Sequence, residues 1–222
     1  MHNAIKMMVL DCRAASNRNS IVYLFLVIDV LAVILFLTPV GDDSLFISFG
    51  ALLGGTAMTL IVPFMAAAQR GLDALYALLP LRRRDIVNGH YLFGGLVAVS
   101  MGLNVMLLVG IMLLLQPSIL TPEWLSRVIR FALMSPAMLL MMAAVEYPLL
   151  LRFGFDRAPQ LVLLPLIGAG VGTGYLVSTG LQGIDLVSPQ GVLAGTIVAV
   201  VVIAVFVVSL LLGRRLYERR SL

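Results

Sequence analysis

The sequence predicts an all-α integral membrane protein: six transmembrane helices preceded by an amphipathic interfacial helix, with both termini cytoplasmic. Three observations carry this reading. The chain is 61% hydrophobic and only 12% charged over 222 residues, well outside the range of a soluble globular domain. Its apolar residues gather into six runs, at 21–38, 45–68, 91–115, 128–150, 161–179 and 191–212, each near the ~20 helical residues that a ~30 Å hydrocarbon layer requires. Its basic residues fall almost entirely on one side of those runs. A β-barrel would instead show segments of about ten alternating residues.

The amino-terminal arm precedes the first run. Ile5, Met8, Val9 and Cys12 recur at helical spacing, while Lys6, Asp11, Arg13 and Arg18 take other faces. That pattern describes a helix lying in the cytoplasmic interface over residues 1–19. The first run carries Asp29 near its middle. Its sixteen apolar residues, at roughly 0.3 to 0.6 kcal/mol each, outweigh the ~2.5 to 3.5 kcal/mol of one central carboxylate, so the segment inserts. "LTPVGDD" follows it rather than a small-residue cleavage site, so it reads as a span and not as a secretory signal.

Gly50 and Gly54 in the second run stand four residues apart, the spacing that lets two helix backbones approach closely. The 69–90 loop that follows is the longest polar interruption in the chain. Within it Leu72, Leu75, Tyr76 and Leu79 fall at i, i+3, i+4 and i+7, Asp73 favours the positive end of a helix starting after Gly71, and Pro80 stops it. A two-turn helix parallel to the membrane is expected. Arg82, Arg83 and Arg84 then form a charged corner, and Asp85 is the candidate cap of the third span. A short helix of its own is more than a topology signal needs, so the loop is the best candidate for a protein contact.

The fourth run ends near Glu146, Tyr147 and Pro148. In the fifth, "GAGVGTGY" sets Gly168 with Gly172 and Gly170 with Gly174 at the close-packing interval. It is not a dinucleotide loop, because position 173 is threonine and no strand precedes it. The sixth run leads into a basic tail.

Counting Lys and Arg orients the bundle. The arm has three, the 69–90 loop four, the 151–159 loop two and the tail four, against Arg127 and Arg130 alone on the other side. Both termini are therefore expected in the cytoplasm. The net charge of +4 is a topology signal and does not point to nucleic acid. Asp29 and Glu146 are the ionisable groups inside the spans, candidates for lining a translocation path, since intramembrane carboxylates turn towards a bundle interior or a wet cavity. Cys12, the single cysteine, excludes an intrachain disulfide.

"LDALYALLPLRRRDIVNGHYL" resembles the small helix, "LP", basic residues, "IV" and aromatic that follow the second span in permeases of the ABC type-2 transporter family. "YPLLLRFGFDRAP", residues 147–159, resembles the second signature of that family: a proline near the end of the fourth span, then a basic residue, an aromatic–glycine pair and a charged turn. Both stand in the right order in a six-span chain. The resemblance implies one transmembrane permease domain over residues 1–222. Residues 1–19 would be its elbow helix, 69–90 its coupling loop and 178–190 its outer segment between spans five and six. Where the family opens the coupling segment with an acidic residue this chain has "QRGLD", and the role passes to Asp73. The resemblance further implies pairing with a second permease, as a homodimer or with a sister chain, and docking of a separate cytoplasmic ATPase on Leu72, Asp73, Leu75, Tyr76, Leu79, Pro80, Arg82, Arg83, Arg84 and Asp85. ATP and Mg would bind that ATPase.

The residues agree that the chain itself carries no such chemistry. A P-loop needs a lysine after glycine, and the single lysine, Lys6, follows Ile5. His2 and His90 are far apart, H-E-x-x-H and G-x-S-x-G are absent, and no cofactor or metal is expected on this chain. The expectation is a permease subunit of an exporter in the plasma membrane, surrounded by lipid. Two alternatives stand beside it: the substrate-binding membrane subunit of a vitamin uptake system, and an intramembrane enzyme using Asp29 and Glu146 as a carboxylate pair.

Overall fold

A computed structural model describes residues 2–16, 27, 29–31, 33–34, 43–70, 82–115, 121–155 and 189–218. Five helices account for nearly all of them: α1 (His2–Ser16), α2 (Asp43–Arg70), α3 (Arg83–Leu115), α4 (Pro122–Phe153) and α5 (Pro189–Glu218). Residues 27, 29–31 and 33–34 are helical as well, and no strand occurs among the described residues. Each of α2 to α5 contains a stretch long and apolar enough to cross a membrane. These correspond to expected spans two, three, four and six. The first expected span is described only in part, and the fifth lies outside the described residues, as do Gly168, Gly170, Gly172 and Gly174.

The helices extend beyond the apolar runs, and the reasons are local. The third span was expected from residue 91, but α3 begins at Arg83. The stretch "DIVNGH" is polar on average yet one-sided, and Ile86, Val87, Gly89 and His90 are buried. Asp85 consequently lies in the first turn, with its N–H bonded to the carbonyl of Arg82 at 2.8 Å. It favours the helix dipole there rather than capping it. α4 likewise starts at Pro122 rather than 128. The hydroxyl of Thr121 accepts the N–H of Trp124 at 3.2 Å, and Pro122 occupies the position where a missing N–H costs nothing. The helix stops at Gly154, whose φ of 75° suits glycine, and whose N–H reaches the carbonyl of Leu150 at 2.9 Å.

α3 lies at the centre. Thr56 Oγ1 of α2 lies 3.4 Å from the sulfur of Met101, and the Phe64 ring packs on His90 with centroids 4.7 Å apart, so α2 runs antiparallel to α3. α4 is also antiparallel to it: a Cβ on Gly94 would meet the Tyr147 hydroxyl at 2.9 Å, and one on Gly102 would meet Pro136 at 3.1 Å. α5 runs alongside α4, with Gly213 against Leu151. Much of the surface of α5 is apolar and exposed among the described residues, including Val192, Leu193, Val201 and Val208.

α1 crosses α3 at Gly89. A Cβ there would collide with Cβ of Met7 and come within 3.1 Å of the Ala4 carbonyl oxygen. Ala4, Met7, Asp11 and Ala15 therefore form the buried stripe, while Ile5, Val9 and Leu10 are exposed. Asp11, read from sequence as part of a polar face, belongs instead to the packed one. Small side chains and a glycine permit that approach, and hydrophobicity alone does not report it.

Candidate functional site

Polar side chains converge at one end of the bundle, where α1, the end of α2, the start of α3 and the ends of α4 and α5 meet. His90 Nδ1 lies 2.7 Å from Asp11 Oδ2, both side chains almost wholly buried. With the carboxyl ionised, Nδ1 must carry the proton that bridges them. The ring of His90 rests on Phe64, Phe64 on Tyr147 at 5.2 Å, and Tyr147 edge-on against Tyr91 at 5.2 Å. In the sequence His90 was weighed only as a metal ligand, with no partner at a suitable spacing. The signal that could have found it is its neighbour Gly89, the close-approach position that brings Asp11 within reach.

The charged corner is divided in its engagements. Arg83 donates to the terminal carbonyls of α5, reaching Glu218 at 3.1 Å and Tyr217 at 3.4 Å. Arg84 pairs with the Glu218 carboxylate at 2.6 Å while remaining 69% exposed. Arg214 of α5 donates to Asn88 at 2.8 Å. α3 and α5 are thereby tied at this end, the cations of α3 lying where the partial negative charge of the α5 terminus favours them. Arg82 is exposed. Of the remaining residues assigned to an ATPase contact, Asp85 is described above, and Leu72, Asp73, Leu75, Tyr76, Leu79 and Pro80 lie outside the described residues.

Asp29 and Glu146 are not brought together. Asp29 is half-buried and accepts a hydrogen bond from Asn104 Nδ2 at 3.2 Å. Asn104 is an intramembrane polar residue whose role the sequence reading missed, although an amide inside an apolar run is itself a signal. Glu146 is 1% exposed, and neither carboxyl oxygen has a hydrogen-bond partner among the described residues. It adjoins Tyr147, which packs on Tyr91, and Asn104 stands thirteen positions further along α3 than Tyr91. At 1.5 Å per residue the two carboxyls occupy levels about 20 Å apart. A two-carboxylate catalytic centre needs them within one site, so the intramembrane-enzyme reading loses its chemistry.

A Cβ added to Gly50 or Gly54 meets nothing within 4 Å, so no described helix approaches closely there. No cluster of three or more His, Cys, Asp or Glu residues suited to a metal occurs among the described residues.

Four described helices long and apolar enough to cross a membrane, with no strand among the described residues, put the chain in the class of multi-pass helical membrane proteins. Within that class the chain is a member of the ABC-2 transporter membrane family: the family model described as "ABC-2 family transporter protein" matches residues 13–218. No curated protein and no solved structure matches it.

Proposed function

We propose that the chain is the permease subunit of an ATP-binding cassette exporter, forming the translocation path with a second permease and driven by a separate cytoplasmic ATPase. The observation that carries this is the family match over residues 13–218. The geometry of the basic corner supports it. Arg82, inside the expected coupling loop, is exposed, and Arg84 keeps most of its surface free while paired. Residues 72–85 are the proposed coupling element, with Leu75, Tyr76 and Leu79 filling an apolar groove of the ATPase and the arginines meeting its acidic residues.

The same reading assigns α1 as the elbow helix in the cytoplasmic interface, where exposed Ile5, Val9 and Leu10 enter the lipid and Lys6 and Arg13 meet headgroups. It places both termini in the cytoplasm of the cell membrane and residues 178–190 outside. Force applied at 72–85 would enter α3 at Arg83 and pass to α5 through the ties at Tyr217 and Glu218. ATP and Mg belong to the ATPase. Asp29, with Asn104, is the proposed polar lining of the path, and Glu146 is the second candidate.

Co-expression with the ATPase tests the contact. Replacing Tyr76 and Arg82 should abolish recovery of the ATPase and its stimulated hydrolysis, while Glu218→Ala, which disturbs only the internal tie, should not. Unchanged recovery in the first variant would remove residues 72–85 from the interface. Asp29→Leu should leave expression intact and impair export; normal export by that variant would take Asp29 out of the path.

A further inference from the structure

Trp124 Nε1, Ser135 Oγ and both carboxyl oxygens of Glu146 are buried without a hydrogen-bond partner among the described residues. Each of these three residues of α4 is 1% exposed, and they follow one another at intervals of eleven positions. Eleven residues make about three turns of helix, so all three stand on one face. The stripe they form is about 33 Å long at 1.5 Å per residue, close to the depth of the hydrocarbon layer. A buried donor or acceptor left without a partner weighs against the conformation that hides it. Three in register along a whole span therefore favour any arrangement in which that face meets water.

The neighbours of α4 show which side this is. α5 meets it at Ala144 and Leu151, and α3 at Ala132, Pro136 and Tyr147. Glu146 stands about 100° round the helix from Tyr147, away from Leu151, and Ser135 about 100° from Pro136 in the same sense. The stripe thus lies beyond α3, on the side of α2, whose Phe64 ring packs on Tyr147. Among the described helices α2 touches α4 far less than α3 and α5 do. The hydroxyls of Thr56 and Thr59 on α2 donate to the carbonyls of Leu52 and Gly55 in their own helix, so neither is free to donate to α4. On its outer side α4 exposes apolar Met141 and Val145.

We propose that the face of α4 bearing Trp124, Ser135 and Glu146 is the wall of a water-accessible stretch of the transport path, opening along the seam between α2 and α4 and shut in the conformation described here. The inference rests on the transport reading above. It adds a wall distinct from Asp29 and Asn104, because Asn104 follows Gly102 by two positions and so stands on the opposite side of α3 from α4.

Single cysteines in a Cys12→Ala background test it, with the purified full chain in nanodiscs and a permanently charged methanethiosulfonate that reaches both faces but does not enter lipid. Ser135→Cys and Glu146→Cys should be modified about tenfold faster than Val145→Cys, which faces lipid, and than Ala143→Cys, which is buried on the side of α4 that meets α3. Modification of Ser135→Cys as slow as that of Ala143→Cys, or rates that simply follow exposure with Val145→Cys fastest, would overturn the wall. If Glu146→Cys does not accumulate, the conservative Ser135→Cys decides alone. Adding the ATPase and ATP should further speed modification at 135. An unchanged rate there, with the basal pattern kept, supports the wall and counts instead against an ATPase-driven cycle.

Discussion

Asp11 and His90 are held at 2.7 Å in a place water hardly reaches, so each depends on the other. Removing one partner of a buried pair leaves a polar group stranded and costs about 3–5 kcal/mol, whereas replacing both by apolar side chains is close to neutral. His90→Ala alone is thus expected to lower thermal stability sharply, and Asp11→Leu with His90→Leu to recover most of it. A double variant as unstable as the single one would show that the pair does more than satisfy itself. Gly89 makes a second demand at the same crossing. Gly89→Ala places a methyl group onto Met7 and should cost about 1–3 kcal/mol by overpacking, read as a lower melting temperature and faster proteolysis of α1. Burial first, and then the neighbouring Asp11, push the Cys12 thiol above its usual range. Cys12 is accordingly expected to alkylate more slowly at neutral pH than a free thiol such as glutathione, and an equal rate would contradict that environment. None of this pairing was visible in sequence, because a lone aspartate and a lone histidine 79 positions apart carry no spacing that links them.

At the scale of the helix, the apolar run at 128–150 located the body of α4 but left out both its ends. Threonine, proline and tryptophan mark its start, a glycine its end, and both work as their chemistry requires. Thr121→Ala should cost about 1 kcal/mol, measurable as a small drop in melting temperature. Hydropathy located the apolar body of α2 to α5 but misjudged where α3 and α4 begin, in α3 because it averages over a turn whose inward face alone is buried. Glu146 was recognised as an intramembrane carboxyl and a candidate for lining the path, and its oxygens are buried without a hydrogen-bond partner among the described residues. A charged carboxylate in such a place is costly. Glu146→Gln is therefore expected to retain or raise the melting temperature, and a loss of several degrees would reveal a partner that the carboxylate specifically needs.

Across the whole molecule, class and family were readable because two short signatures and a one-sided distribution of arginine survive in any orientation of the individual side chains. What those arginines touch was not readable. Two of the three in the corner turn back onto α5, a contact between residues more than 130 positions apart that no local pattern encodes. An exposed pair such as Arg84 with Glu218 contributes little to stability, so Arg84→Ala should leave the melting temperature nearly unchanged while weakening recovery of the ATPase. Arg83, gripping the carbonyls of Tyr217 and Glu218, fixes where the chain departs after its final turn. An affinity tag or fluorescent reporter inserted directly after Glu218 would start beside the corner where α3 begins. Such a fusion will crowd whatever approaches that corner, so an assay of partner recruitment should carry its handle on the opposite flank of the bundle.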